Sequence, residues 1–226
     1  QSILVEQNDD VVHIFDGINA GSGEVIFWMY IPSSGGAGAY YNILHGYNTP
    51  NAGQNSIWAH QIMFASAESG EQSVLDAAGY AAVSFDAIYD TWVEVRQEID
   101  LDNDYTTLYY NGQELYSWQF SQDAGGEQQL NVLDAINFYG ACGGTGCNAM
   151  AYYDNIEMCG DFKVEVFGCT DPSAVNYNPN ATADDGSCIY DTSDIEENNI
   201  LEMNIFPNPN NGSFSFTLND NLSSFN

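Results

Sequence analysis

The sequence predicts an all-β, antiparallel fold, and three observations carry that prediction. Across Thr91 to Trp118, the apolar residues Val93, Val95, Ile99 and Leu101 alternate with Glu94, Arg96, Glu98, Asp100 and Asp102; Gln97 is the single polar interruption of the apolar face. Such alternation marks a half-buried strand, because successive side chains on a pleated backbone point to opposite sides. Turn signals follow at short intervals. Asp102-Asn103-Asp104 supplies Asx side chains that bond their own backbone, and Asn111-Gly112 is the strongest short hairpin signal a sequence offers. Finally, no stretch shows a sustained helical period.

In chain order, Val11 to Phe15 and Glu24 to Ile31 read as strands separated by a glycine-rich turn. The loop Pro32 to Gly38 leads to a strand at Tyr40 to Leu44, and an Asn/Gly/Pro-rich loop, Gly46 to Asn55, leads to Ser56 to Phe64. A polar loop then precedes Tyr80 to Phe85. The central meander supplies the strand from Thr91, then Tyr105 to Tyr110 and Glu114 to Phe120. Ala135 to Tyr139 and Ala151 to Met158 close the series around a Gly-rich hairpin bounded by Cys142 and Cys147. Short strands with turns every 8–12 residues predict a sandwich or jelly roll.

The charge balance excludes several partners. Among 226 residues, Arg96 and Lys163 face 32 acidic residues, for a formal net charge of −30. Such a chain repels phosphate backbones and anionic membrane surfaces, so no nucleic acid is expected as a partner. No apolar run is long enough to span a bilayer, so no membrane insertion is expected. The surplus carboxylates attract divalent cations and favour solubility in salty water, which fits an extracellular setting. The chain begins at Gln1 without a visible signal peptide, which suggests a processed or trimmed terminus.

There are five cysteines, at 142, 147, 159, 169 and 188, with no CxxC and only three histidines. That pattern disfavours structural zinc and favours disulfides in an exported protein, with at least one thiol free or paired elsewhere. Cys142 and Cys147 are placed to staple the glycine-rich loop. Cys169 and Cys188 enclose a loop too polar to hold a core, so a disulfide there must supply much of its order, about 3 kcal/mol for a loop of this size. Within it Asp171, Asn176, Asn178, Asn180, Asp184 and Asp185 crowd oxygen donors ahead of Gly186. Hard oxygen donors at that density suit Ca²⁺. The alternative is a disulfide-tied, Asx-rich linker without metal.

Three stretches carry resemblances to known families. The series VIFWMYIP, NILHGYN, SIWAHQIMF, DTWVEVRQEIDLDNDYTTLYYNGQEL, INFYG and YYDNIEM resembles concanavalin A-like (laminin G-like) jelly-roll modules of secreted Bacteroidetes proteins over most of residues 1–160. That family implies two curved antiparallel sheets with sugar or protein ligands on the concave face or its rim loops. GCTDPSAVNYNPNATADDGSCIY, within 161–190, resembles a short Cys-bounded calcium-type repeat of secreted surface proteins. After an acidic linker at 191–199, residues 200–226 open with ILEMNIFPNPNNGSFSFTL, which resembles the start of a type A C-terminal sorting domain of the type IX secretion system. That resemblance implies export across the outer membrane and a place outside the cell or on its surface. The family's domain is longer than the stretch present here.

Glu98-Ile99-Asp100-Leu101-Asp102 is the one constellation that looks catalytic. It approaches the two glutamates flanking an aspartate of concanavalin-like β-glucanases. Its last acid is shorter and falls in the predicted turn, whereas retaining chemistry needs two carboxyls about 5–5.5 Å apart. A solvated strand face is the expectation, so the chain is read as no enzyme. Arg96 relieves repulsion between Glu94 and Glu98, or else clamps an anionic glycan. Aromatic planes stack on pyranose C–H faces, and Trp58, Trp118 and Tyr47 are the ligand candidates; Trp92, opening the central strand, is expected in the core. His13, His45 and His60 receive no role. The expected function is a secreted or cell-surface, non-catalytic binding or adhesion module for glycan or a surface protein, exported by the type IX machinery. The alternatives are an accessory region of a larger secreted hydrolase and a subunit of an extracellular filament or surface layer.

Overall fold

The computed structural model describes residues 2–34, 38–47, 56–65, 67, 69, 71–141 and 149–191, together with the backbone of 203–206 and 215–218. The chain forms two compact units, Gln1–Val166 and Phe167–Asn226. In the first, twelve strands follow one another: β1 (Ile3–Glu6), β2 (Asp10–Ile18), β3 (Ser22–Tyr30), β4 (Ala39–Gly46), β5 (Ile57–Phe64), β6 (Ser73–Ala77), β7 (Val83–Phe85), β8 (Trp92–Asp100), β9 (Tyr105–Tyr110), β10 (Gln113–Trp118), β11 (Leu133–Gly140) and β12 (Met150–Gly160). They build two six-stranded antiparallel sheets, ordered β1-β12-β3-β8-β9-β10 and β2-β11-β4-β5-β6-β7. Successive strands at the N-terminus alternate between the sheets. The result is a jelly-roll sandwich, with no helix among the described residues.

The central meander forms as its pattern dictates. Along β8 burial alternates residue by residue, with Val93, Val95, Gln97 and Ile99 inside. Asn111 and Gly112 both take positive φ, 51° and 73°, which is the backbone of the type I′ hairpin turn. Gln97 is fully buried yet satisfied: its carbonyl accepts from the Tyr41 hydroxyl at 3.0 Å and its amide donates to Thr106 Oγ1 at 3.0 Å. An unmade hydrogen bond at this depth costs about 1–3 kcal/mol, so Gln97 and Tyr41 specify each other across the sheets.

Between the sheets, Phe27 lies 4.7 Å from Tyr41 and 5.0 Å from Phe138, and Phe138 lies 4.5 Å from Tyr153, ring centre to ring centre. The edge-to-face contacts of Phe27 with Tyr41 and Phe138 add about 0.5–1.5 kcal/mol each beyond area burial.

Two strand expectations need correction. The segment read as a polar loop before Tyr80 contains β6, SVLDA, whose burial alternates with Ser73, Leu75 and Ala77 inside. Ser73 is a polar residue that belongs in the core because its hydroxyl accepts from the Ala65 amide. Trp92 was expected inside and is 41% exposed. It shares the period-2 face of Glu94 and Arg96, which points away from the partner sheet.

Among the described residues, the second unit holds two short strand pairs. A parallel bridge joins β13 (Phe167–Gly168) to β14 (Ala183–Asp184), and the Cys169–Cys188 disulfide closes the loop. Then β15 (Met203–Phe206) pairs antiparallel with β16 (Ser215–Leu218). The proposed Cys142–Cys147 staple and most of the segment resembling a sorting domain lie outside the described residues.

Candidate functional site

The outer face of the second sheet is set by one local irregularity. Ile43 pairs with His60, but Leu44 pairs with Trp58, so Ala59 is an extra residue on β5; Gly46 then pairs with Ile57, so His45 is an extra residue on β4. The two bulges cancel. Strict alternation from Phe64, Ile62 and His60 would send Trp58 into the core. The Ala59 bulge instead shifts the phase, and Trp58 emerges on the outer face beside Leu44.

On that face, cross-strand register lines up Asn137, Asn42, Gln61 and Asp76 across β11, β4, β5 and β6. Asn42 donates to Asn137 Oδ1 at 2.7 Å, and Asn137 donates in turn to Asp10. Asn42 is 1% exposed, and its Oδ1 has no hydrogen-bond partner among the described residues; Ser56 Oγ is likewise buried and unpaired. One cleft, about 290 Å³, is lined by Asp10, Leu44, Tyr47, Ser56, Trp58, Asn137 and Tyr139. A second, about 510 Å³, is lined by Ser56, Trp58, Gln61, Asp76 and Tyr80 and by the Asp123–Gln129 loop. Trp58 and Ser56 border both. The loop is tied to the strand by Ala124 N–H donating to the Trp58 carbonyl at 2.8 Å.

Carboxylates in these clefts already hold the scaffold. Asp76 accepts from the Ala81 amide, and Asp123 accepts from Gly125 and Glu127 amides and from Gln129 Nε2. Neither of the chain's two basic residues lies on this sheet: Arg96 is on β8 and Lys163 follows β12. Beneath the face, His60 is fully buried with neither ring nitrogen bonded among the described residues, and burial, helped by neighbouring His45, pushes its pKa down to about 3. Burial also lowers the His45 pKa, against the opposing pull of its hydrogen bond to Val132 O.

Trp58 and Tyr47, both expected as ligand residues, come together in the first cleft. Trp118 does not join them. It is 4% exposed, with its ring 5.7 Å from His60 and 5.7 Å from Tyr116, because the β9–β10 pairing slips between Glu114 and Tyr116 and turns Trp118 inward. Arg96 lies on the other sheet. Its guanidinium bridges Glu24 and Glu98 and stacks 3.9 Å over Tyr109, the arrangement of a charge neutraliser.

The acidic series is divided among structural bonds. Glu98 is taken by Arg96 and by the Tyr109 hydroxyl at 3.3 Å; Asp100 accepts from both nitrogens of Asn103; Asp102 sits in the turn and accepts from the Gly21 amide.

In the disulfide loop, five of the six expected metal ligands, all but Asn180, have their side chains in local hydrogen bonds. Asp171 accepts from Ser173 and Tyr190, and Asn176 bonds Ser187 O and Ile189 N. Asn178, Asp184 and Asp185 each accept from the amide two residues on, at Asn180, Gly186 and Ser187. These bonds to the charged form lower the pKa of Asp171 and Asp185. Among the described residues, no three His, Cys, Asp or Glu side chains converge to hold a metal ion. Cys159 is free and exposed; desolvation, then the Glu24 carboxylate, raise its thiol pKa.

Sequence reasoning missed Asp10, Asn137 and Tyr139. The alternation within the INFYG strand carries the signal for the last two, since Asn137 and Tyr139 share the face opposite Ile136 and Phe138.

No family model matches the chain. Ribulose bisphosphate carboxylase/oxygenase activase 1 of Larrea tridentata is 70% identical over 23 residues, which is 10% of this chain and 5% of that protein. Among solved structures, a sialidase aligns over 70% of this chain and 15% of its own length, at 10% identity and a TM-score of 0.48. A tetrameric galectin from the sponge Cinachyrella sp. aligns over 66% of this chain and 99% of its own, at 16% identity and TM-score 0.41. A family 7 alginate lyase aligns over 67% and 66%, at 15% identity and TM-score 0.43.

Proposed function

We propose that this chain is a non-catalytic glycan-binding module of a secreted or surface-displayed protein, and that its site is the Trp58 face of the second sheet. The observation that carries the reading is the position of Trp58, brought to the surface by a bulge and shared by two polar clefts. An aromatic plane flanked by hydroxyls, amides and carboxylates matches a sugar ring, which offers an apolar C–H face rimmed by hydroxyls. Ser56, which lines both clefts, has an Oγ without a partner among the described residues. Carboxylates without a nearby cation make anionic sugars poor ligands and neutral ones good ligands. A linear ligand crossing Trp58 would occupy both clefts at once. Export by the type IX machinery is the accompanying proposal, supported by the MNIFPNPNNGSFSFTL segment and its antiparallel hairpin.

The test is titration calorimetry against neutral and uronic-acid oligosaccharides. Neutral ligands should bind, and Trp58→Ala should weaken them about tenfold or more, about 1.4 kcal/mol. Equal binding by the variant, or a preference for uronic acids, would overturn the assignment.

A further inference from the structure

The outer face of the first sheet carries an aromatic row that the sandwich core does not use. Register places Leu4, Tyr152, Tyr30 and Trp92 side by side on four adjacent strands, β1, β12, β3 and β8. The Tyr30 ring lies 5.7 Å from Trp92 and 6.1 Å from Tyr152. Trp28 stands two residues along β3 on the same face. Leu4, Trp28 and Trp92 are 39%, 37% and 41% exposed. A contiguous row of this kind marks a contact surface, whereas single exposed aromatics need no explanation.

The chemistry around the row selects its occupant. A second copy of the chain would bring another −30 of formal charge to the interface, and nucleic acid or an anionic bilayer is repelled in the same way. Trp28 is flanked on both sides by direct cross-strand neighbours that are acids, Glu94 and Asp154. A purely apolar partner would strip water from both carboxylates without replacing it. A neutral polysaccharide avoids both penalties, because its ring faces stack on the aromatics while its hydroxyls donate to the acids. One ring on each of β12, β3 and β8, at the strand spacing of about 4.8 Å, is also close to the advance per residue of an extended glycan chain.

We propose that this row is a second polysaccharide-binding surface, on the opposite face of the sandwich from Trp58, so that one copy of the chain bridges two glycan chains. The test uses the full chain and two insoluble neutral polysaccharides, microcrystalline cellulose and chitin. Wild type should be retained on at least one. Read on a Trp58→Ala background, which removes the other site, Tyr30→Ala/Trp92→Ala should cut retention about tenfold, and Tyr30→Ala/Trp92→Tyr should restore part of it. A melt of each variant checks folding. Wild-type retention on neither matrix, or equal retention by the double variant, overturns the proposal. So does sedimentation showing a wild-type dimer that the double variant abolishes, since the row would then be a self-interface. Because retention is read on the Trp58→Ala background as well, failure of the Trp58 site and failure of this one give different results.

Discussion

His60 offers the sharpest test of the sandwich. Its imidazole is fully buried with both nitrogens unbonded among the described residues, and burial lowers its pKa from 6.5 to about 3. A histidine whose folded pKa is depressed binds its proton in the unfolded chain first. Its contribution is therefore fully present above pH 6.5 and is lost as pH falls from there towards 3. Between those values the loss is about 1.4 kcal/mol per pH unit, or about 2 kcal/mol between pH 7.5 and pH 5.0. Replacing His60 with Leu removes the titration and two orphaned nitrogens while keeping much of the volume. The assay is urea unfolding of wild type and His60→Leu at pH 7.5 and 5.0. Net charge, His45 and the carboxylates are common to both proteins, so the difference between their pH slopes isolates His60. The variant should lose about 2 kcal/mol less on acidification. Equal losses, within about 0.5 kcal/mol, would mean that His60 is solvated or paired in solution and that the account of this core is wrong.

Gln97→Leu should destabilise the sandwich by about 1–3 kcal/mol by stranding the Tyr41 hydroxyl, and adding Tyr41→Phe should recover part of that loss; additive penalties in urea melts would disprove the pairing. Asp104→Ala removes the acceptor for Ser121 N, Ser121 Oγ and Gln119 Nε2; amide exchange at Ser121 should accelerate, and unchanged exchange would show the loop is held otherwise. In the second unit, Cys169→Ser/Cys188→Ser should cost about 3 kcal/mol of local order and expose the loop to proteolysis. Chelator alone should leave the intact loop resistant, because its Asx side chains are bonded to its own backbone; chelator-induced cleavage would instead reveal bound Ca²⁺.

The meander was legible because its information is local: an alternating strand, an Asx turn and Asn111-Gly112 each act within a few residues. The same alternation already places Trp92 on the solvent side, and expecting every strand-initiating tryptophan in the core overrode it. Trp118 was not legible, since its direction depends on a register slip against β9. The clefts were least legible. Their residues come from β2, β4, β5, β6, β11, the turn after β6 and the loop after β10, and only the sheet order brings Asp10 next to Asn137. The pairing of Trp58 with Tyr47 rested on side-chain chemistry alone, and the backbone phase that exposes Trp58 has no signature in a period-2 reading.

The paired bulges at His45 and Ala59 bear on how this surface tolerates changes in chain length. In an uninterrupted strand, gaining or losing one residue exchanges inside for outside along everything that follows. Here each strand of the pair holds a residue that stands outside the ladder, so one codon can be lost at either point while Trp58 keeps its outward address. A one-residue deletion at His45 or Ala59 is therefore expected to alter the local twist and leave Trp58 facing outward.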